Sequence, residues 1–93
     1  MSYEKGRQKY RVKVRADHDF DGEVRPLLFR HEEGPTVRVD RILEIRPAAS
    51  TKAGGFGTRY TCRCGDKMVY LFREPESLGA GWYAEDIGDW PGA

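Results

Sequence analysis

Four basic side chains, Lys9, Arg11, Lys13 and Arg15, alternate with the apolar Tyr10, Val12 and Val14. On an extended chain, alternate residues share a face at roughly 6.6 Å intervals. A row of cations at that spacing can follow phosphates, which recur every ~3.4 Å along each strand of a duplex. Arg59 and Arg63 offer further basic positions beyond Arg38. This is the chemistry of a contact with nucleic acid or another polyanion, through Lys9, Arg11, Lys13, Arg15, Arg59 and Arg63. Phe56 belongs with them as an aromatic that can stack on an unpaired base, and Tyr3 and Tyr70 are of the same kind. The plain alternative is a solvated face whose cations pair across strands with Glu44, Glu23 or Asp40. A formal net charge of only +1 favours that alternative, because nucleic-acid binders usually carry a larger basic excess. The charge is nevertheless uneven: residues 1–63 sum to +5 and residues 64–93 to −4, which implies a polarised surface.

Other chemistries fit less well. Ala53-Gly54-Gly55-Phe56-Gly57-Thr58-Arg59 can present backbone amides and a guanidinium to an anion. It lacks the Gly-Lys-Ser/Thr ending of a P-loop, and glycines in a tight connection more often serve positive φ or close backbone approach. Cys62, Cys64, His18 and His31 are soft enough for zinc. Their Cys-x-Cys spacing is not the usual pair, however, and both thiols fall in step with Tyr60 on the core face. Asp17-His18-Asp19-Phe20-Asp21-Gly22 opens like a calcium loop, but Leu28 stands where that loop needs its glutamate. No nucleophile, base and orienting group are recognisable together, so neither an enzyme nor a cofactor is expected.

These residues need strands to position them. Period-two alternation predicts strands over residues 9–15, 23–31, 36–46, 58–64, 68–73 and 82–85, with Asp21-Gly22, Glu32–Pro35 and Gly65–Lys67 as turns. Pro26 marks an edge or a bulge, and the slip at Ile42, Leu43 and Ile45 marks another bulge. Pro47–Ser50 has room for one helical turn, but Gly54, Gly55 and Gly57 exclude a long helix. The expected fold is all-β: a small antiparallel barrel of five to six strands, SH3-like, with an OB-like barrel or a twisted meander sheet as the alternatives. One domain spans residues 1–85, and residues 86–93 form a flexible acidic tail from which Trp90 can pack back on the body.

Composition agrees. Hydrophobic residues at 39% and charged residues at 33% exclude a disordered chain, while the length restricts the protein to one thin-cored domain. Met1–Lys9 has no apolar signal segment, so the expected compartment is the cytoplasm, with Cys62 and Cys64 as thiols. Two cysteines at i and i+2 of a regular strand are also too far apart for a disulfide. No apolar run is long enough to span a bilayer.

The stretch from Arg38-Val39-Asp40-Arg41-Ile42-Leu43-Glu44-Ile45-Arg46-Pro47-Ala48-Ala49-Ser50 through Lys52-Ala53-Gly54-Gly55 to Gly57-Thr58-Arg59-Tyr60-Thr61-Cys62-Arg63 resembles a family of short bacterial β-rich proteins. Gly22, Arg25, Pro26, Leu71, Phe72 and Trp82 fit the same resemblance, which covers most of residues 8–85. It implies a compact β domain and carries no assigned activity. Cys64 departs from it, because an aliphatic residue is the more familiar choice at that position.

The function expected from the residues is a non-enzymatic binding module, monomeric or weakly dimeric, that contacts nucleic acid or another polyanion. The competing class is a protein-interaction adaptor using an edge strand or the aromatics Phe56, Trp82 and Trp90. A ligand-binding barrel is a third class, and it requires a pocket.

Overall fold

The alternation that starts at Lys9 builds β1 (Lys9–His18), in which Tyr10, Val12, Val14 and Ala16 are half-buried and the residues between them are exposed. The computed structural model describes residues 9–49, 56–75, 79 and 81–91. Asp19–Gly22 then reverses the chain: the Gly22 N–H donates to the Asp19 carbonyl at 2.9 Å, and Gly22 adopts φ +86°. That left-handed conformation is why glycine follows aspartate here.

The return strand β2 (Val24–Arg30) pairs antiparallel with β1, and one extra residue interrupts the register between Arg15–Leu28 and Ala16–Pro26. The extra residue is Leu27, which is 44% exposed, while Pro26 is fully buried beside it. Pro26 therefore marks a bulge, where a missing N–H does least harm. The rest of the chain forms β3 (Thr36–Arg38), β4 (Arg41–Ala49), β5 (Phe56–Cys64), β6 (Lys67–Arg73) and β7 (Trp82–Asp89). No helix occurs among the described residues.

All pairings are antiparallel, in the order β3-β2-β1-β7-β6-β5-β4. β3 and β4 end this sheet on opposite sides, yet only Val39 and Asp40 separate them in sequence. The Val39 N–H donates to the Leu27 carbonyl, continuing the pairing with β2, and the Asp40 N–H donates to the Arg63 carbonyl, beginning the pairing with β5, each at 2.9 Å. The sheet must therefore curl until its two ends share one bent run of chain. β1 is divided in the same way, with Lys9–Val12 on β7 and Lys13–His18 on β2.

The curl encloses a core of Phe29, Tyr60, Cys62, Cys64, Val69, Leu71 and Ala84, with Tyr10, Val12, Ile42, Ile45 and Trp82 packed around it. The fold is thus all-β and barrel-like, as the alternation implies. The described residues form seven strands because the run at 36–46 breaks at Val39–Asp40. The slip near Ile42 is the bulge it predicts: Ile42 faces Cys62 and Glu44 faces Thr61, leaving Leu43 unpaired.

Two expectations are corrected. Pro47–Ala49 is strand, not a helical turn, with Pro47, Ala48 and Ala49 opposite Thr58, Gly57 and Phe56. β4 is an edge strand, the place in a sheet where proline is tolerated. The presumed tail at 86–93 begins inside β7, which runs on to Asp89, four positions past the expected boundary at residue 85. Trp90 does pack back: its N–H donates to the Asp66 carbonyl at 2.7 Å, and the Arg63 guanidinium lies 4.9 Å from its ring centre.

One buried bond crosses the curl. The Tyr60 hydroxyl on β5 donates to the Val24 carbonyl on β2 at 2.7 Å. Tyr60→Phe would keep the ring and orphan that carbonyl, at an expected cost of about 1–3 kcal/mol. The check is urea unfolding, in which the midpoint falls with an unchanged slope. A midpoint equal to that of the parent protein would show that the bond does not hold the curl.

Candidate polyanion interface

β1 presents Lys9, Arg11, Lys13 and Arg15 on one exposed face, as alternation requires. Because β1 serves two partners, the row is shared between two surroundings. Lys9 and Arg11 face Glu85 and Tyr83 of β7, whereas Lys13 and Arg15 face Arg30 and Leu28 of β2. Leu28 in turn faces Arg38 of β3. The outer surface of β1–β2–β3 therefore collects Lys13, Arg15, Arg30 and Arg38, all exposed. None of the four makes an ion pair among the described residues.

The acids expected to neutralise the basic face are engaged elsewhere. Glu44 approaches Arg46 at 3.8 Å and Arg59 at 3.6 Å. Glu23 holds Arg25 at 3.2 Å. Asp40 accepts the Gly65 N–H at 2.6 Å, which fixes the β5–β6 turn. Arg30, the cation directly opposite Lys13, is the member of the cluster that the sequence did not single out. Strand alternation puts it on the outer face, but its partner depends on the bulge at Leu27.

Arg59 and Arg63 lie on β5, with β6 and β7 between them and β1 in the strand order, while the Arg63 carbonyl accepts the Asp40 N–H two residues past Arg38. Arg59 also sits 4.3 Å from the Tyr70 ring centre, and the Arg63 Nε donates to the Gly65 carbonyl at 3.0 Å. Phe56 opens β5 opposite Ala49, and its side chain lies outside the described residues, as do Tyr3, Gly54 and Gly55. Gly57 has a packing reason: a Cβ there would fall against the Arg73 carbonyl oxygen. Of the aromatics an adaptor would use, Trp82 packs against the core, 5.6 Å from Tyr60, and Trp90 lies under Arg63. The free side of β4 carries Pro47 among Arg41, Glu44 and Arg46, a composition that discourages strand addition.

The soft ligands are dispersed. Cys62 and Cys64 are buried free thiols, His18 is exposed at the end of β1, and His31 stacks on Tyr10 at 3.9 Å. Among the described residues, the side chains that gather as three candidate ligands are Asp19, Asp21 and Glu23. Arg25 already bridges Asp19 and Glu23, and Asp21 accepts the Glu23 N–H at 2.9 Å, so the cluster is used in holding the turn. A cavity of about 380 Å³ opens beside Tyr10, Phe29, His31, Cys64 and Asp86, with mostly apolar walls. Its polar rim is paired, the Tyr10 hydroxyl with Asp86 at 3.0 Å and Lys67 with Asp89 at 2.8 Å.

In comparisons with protein-family models, curated proteins and solved structures, nothing matched this chain. No described helix is long and apolar enough to cross a membrane.

Burial pushes the Cys62 thiol up from 9.0 to about 12, with Cys64 adding to the shift. Cys64 rises to about 11, through burial first and then the Asp40 and Asp86 carboxylates. Burial also raises Tyr10 and Tyr60. Each of these groups prefers its neutral form when folded, so its contribution is complete below the unfolded value. That contribution shrinks as pH rises from about 9 toward 12, where unfolded thiols ionise and folded ones do not. Unfolding free energy is therefore expected to decline across that window. At pH near 8, alkylation of native Cys62 should run at least about a hundredfold slower than in denatured protein. Equal rates in native and denatured protein would contradict the buried placement.

Proposed function

We propose that this domain is a non-enzymatic binding module of the cytoplasm, on an SH3-like barrel, that contacts nucleic acid or another polyanion through the outer face of β1 and its neighbours. One observation carries the reading: Lys13, Arg15, Arg30 and Arg38 share a face without an acidic partner among the described residues, and Lys13 stands directly opposite Arg30. Like charges directly opposed across an antiparallel pair destabilise it, and a single Glu at either position would turn repulsion into attraction. A bound polyanion relieves the same repulsion, and release of its counterions drives the association. Lys9 and Arg11 extend the row along β1.

An adaptor for protein partners is the second reading, favoured by Leu27 and Leu43, which are 44% and 39% exposed at their bulges. Apolar docking there would be insensitive to salt, whereas phosphate contact would not.

Binding of a short DNA duplex, followed by fluorescence anisotropy, separates the two. Four phosphate contacts imply a log–log salt slope near −3.6, so affinity should fall roughly a hundredfold between about 50 and 200 mM salt. Arg30→Glu should weaken binding and flatten the slope. It should also stabilise the free protein, by about 0.2–1 kcal/mol, through the new pair with Lys13. A salt-independent affinity, or an Arg30→Glu protein that binds as well as its parent, would overturn the proposal.

A further inference from the structure

Next to the basic face, the outer surface of β7, β6 and β5 carries aromatic rings where a solvated sheet would carry polar residues. Cross-strand register sets them in a row: Arg11 faces Tyr83, Tyr83 faces Phe72, Phe72 faces Arg59, and Arg59 faces Arg46. The next row out is Lys9, Glu85, Tyr70, Thr61 and Glu44. Tyr70 and Phe72 meet edge to face, with centres 6.0 Å apart. These rings are not core: Val69, Leu71 and Ala84 fill the inner face of the same strands.

Each outward ring bears a cation. The Lys9 ammonium is 4.0 Å from the Phe72 centre, the Arg59 guanidinium 4.3 Å from Tyr70, and the Arg11 guanidinium 5.5 Å from Tyr83. The Arg59 Nε is buried there without a hydrogen-bond partner. Stacked bases and phosphates are the two things such a surface can take up together. A base can replace the cation on a ring face, and the displaced cation, still tethered beside the ring, can meet the adjoining phosphate.

We propose that Tyr83, Phe72 and Tyr70 form a stacking platform for the unpaired bases of a single-stranded nucleic acid, with Lys9, Arg11 and Arg59 exchanging ring contact for phosphate contact. This rests on the polyanion reading of the adjoining β1 face and narrows its ligand. A duplex keeps its bases stacked inside and can offer only its backbone. The cations and the rings Tyr83 and Phe72 share the Arg11–Arg46 row, so the strand crosses the sheet along it. That row spans four inter-strand steps, roughly 19 Å.

The test compares oligo-dT, oligo-rU, a duplex of equal phosphate count and heparin at one salt concentration, using the parent protein, Phe72→Leu and Tyr83→Leu. Circular dichroism establishes that the variants fold. Single strands should bind at least about tenfold more tightly than duplex or heparin, and each ring variant should lose roughly five- to a hundredfold on single strands alone. In the unmodified protein, ring-proton resonances of Tyr70, Phe72 and Tyr83 should move upfield with oligo-dT, a readout independent of whether a variant folds. If all four polymers bind alike and the ring resonances stay still, the platform is overturned while the basic face stands. If nothing binds at low salt, both are overturned.

Discussion

Val39 and Asp40 divide the hydrogen bonding of one continuous run of chain, the first residue bonding to β2 and the second to β5. Two residues leave no slack, so the outermost strands of the sheet must be brought together in space. The inner face then becomes concave and small enough for seven buried side chains to fill, with the Tyr60 hydroxyl reaching across to Val24. The bulges at Leu27, Leu43 and Ile87 follow from the same demand, because each adds bend and twist where a regular ladder would lie flat. The outer surface is a product of the curl as well. It splits β1 between two neighbours and so sets one basic row against rings on one side and against further cations on the other.

Much of this architecture was legible in period-two alternation, because the parity of a strand decides which side chains meet water. Lys9 to Arg15 and Tyr60-Cys62-Cys64 could be assigned to their faces that way. Three elements were not legible, each for a physical reason. Arg38-Val39-Asp40-Arg41 contains neither glycine nor proline, and its slip in parity at Asp40-Arg41 reads as part of the bulge near Ile42 rather than as a change of partner. Pro47 reads as a stop signal, yet an edge strand tolerates proline. Asp86-Ile87-Gly88-Asp89 reads as coil, but β6 holds it as strand, with Gly88 at φ +117° opposite Met68 and Lys67 bonded to Asp89.

The site was less legible than the fold because it depends on register. That Arg59 and Arg63 are basic and outward was plain. That two strands separate them from β1 was not, since strand order is a long-range property. Arg30 shows the same limit at closer range: one extra residue at Leu27 decides which cation it opposes. The outward rings at Phe72 and Tyr83 sit in strands whose two faces are both apolar, and such strands read as core on either side. Seen in three dimensions, the free protein sets like charges opposite one another on one surface and covers half-buried rings with cations on the next.

β7 comes after the other described strands in sequence, but it lies at the middle of the sheet, between β1 and β6. During synthesis, the six earlier strands emerge as two three-stranded pieces joined only through Val39–Asp40. Until β7 leaves the ribosome, Lys9–Val12 and the outer side of β6 are open edges that can pair with any passing strand. Closure therefore waits on the emergence of β7. A nascent chain cut short before Trp82 would hold most of its core residues and still present two sticky seams, which makes it a natural target for chaperones and proteases.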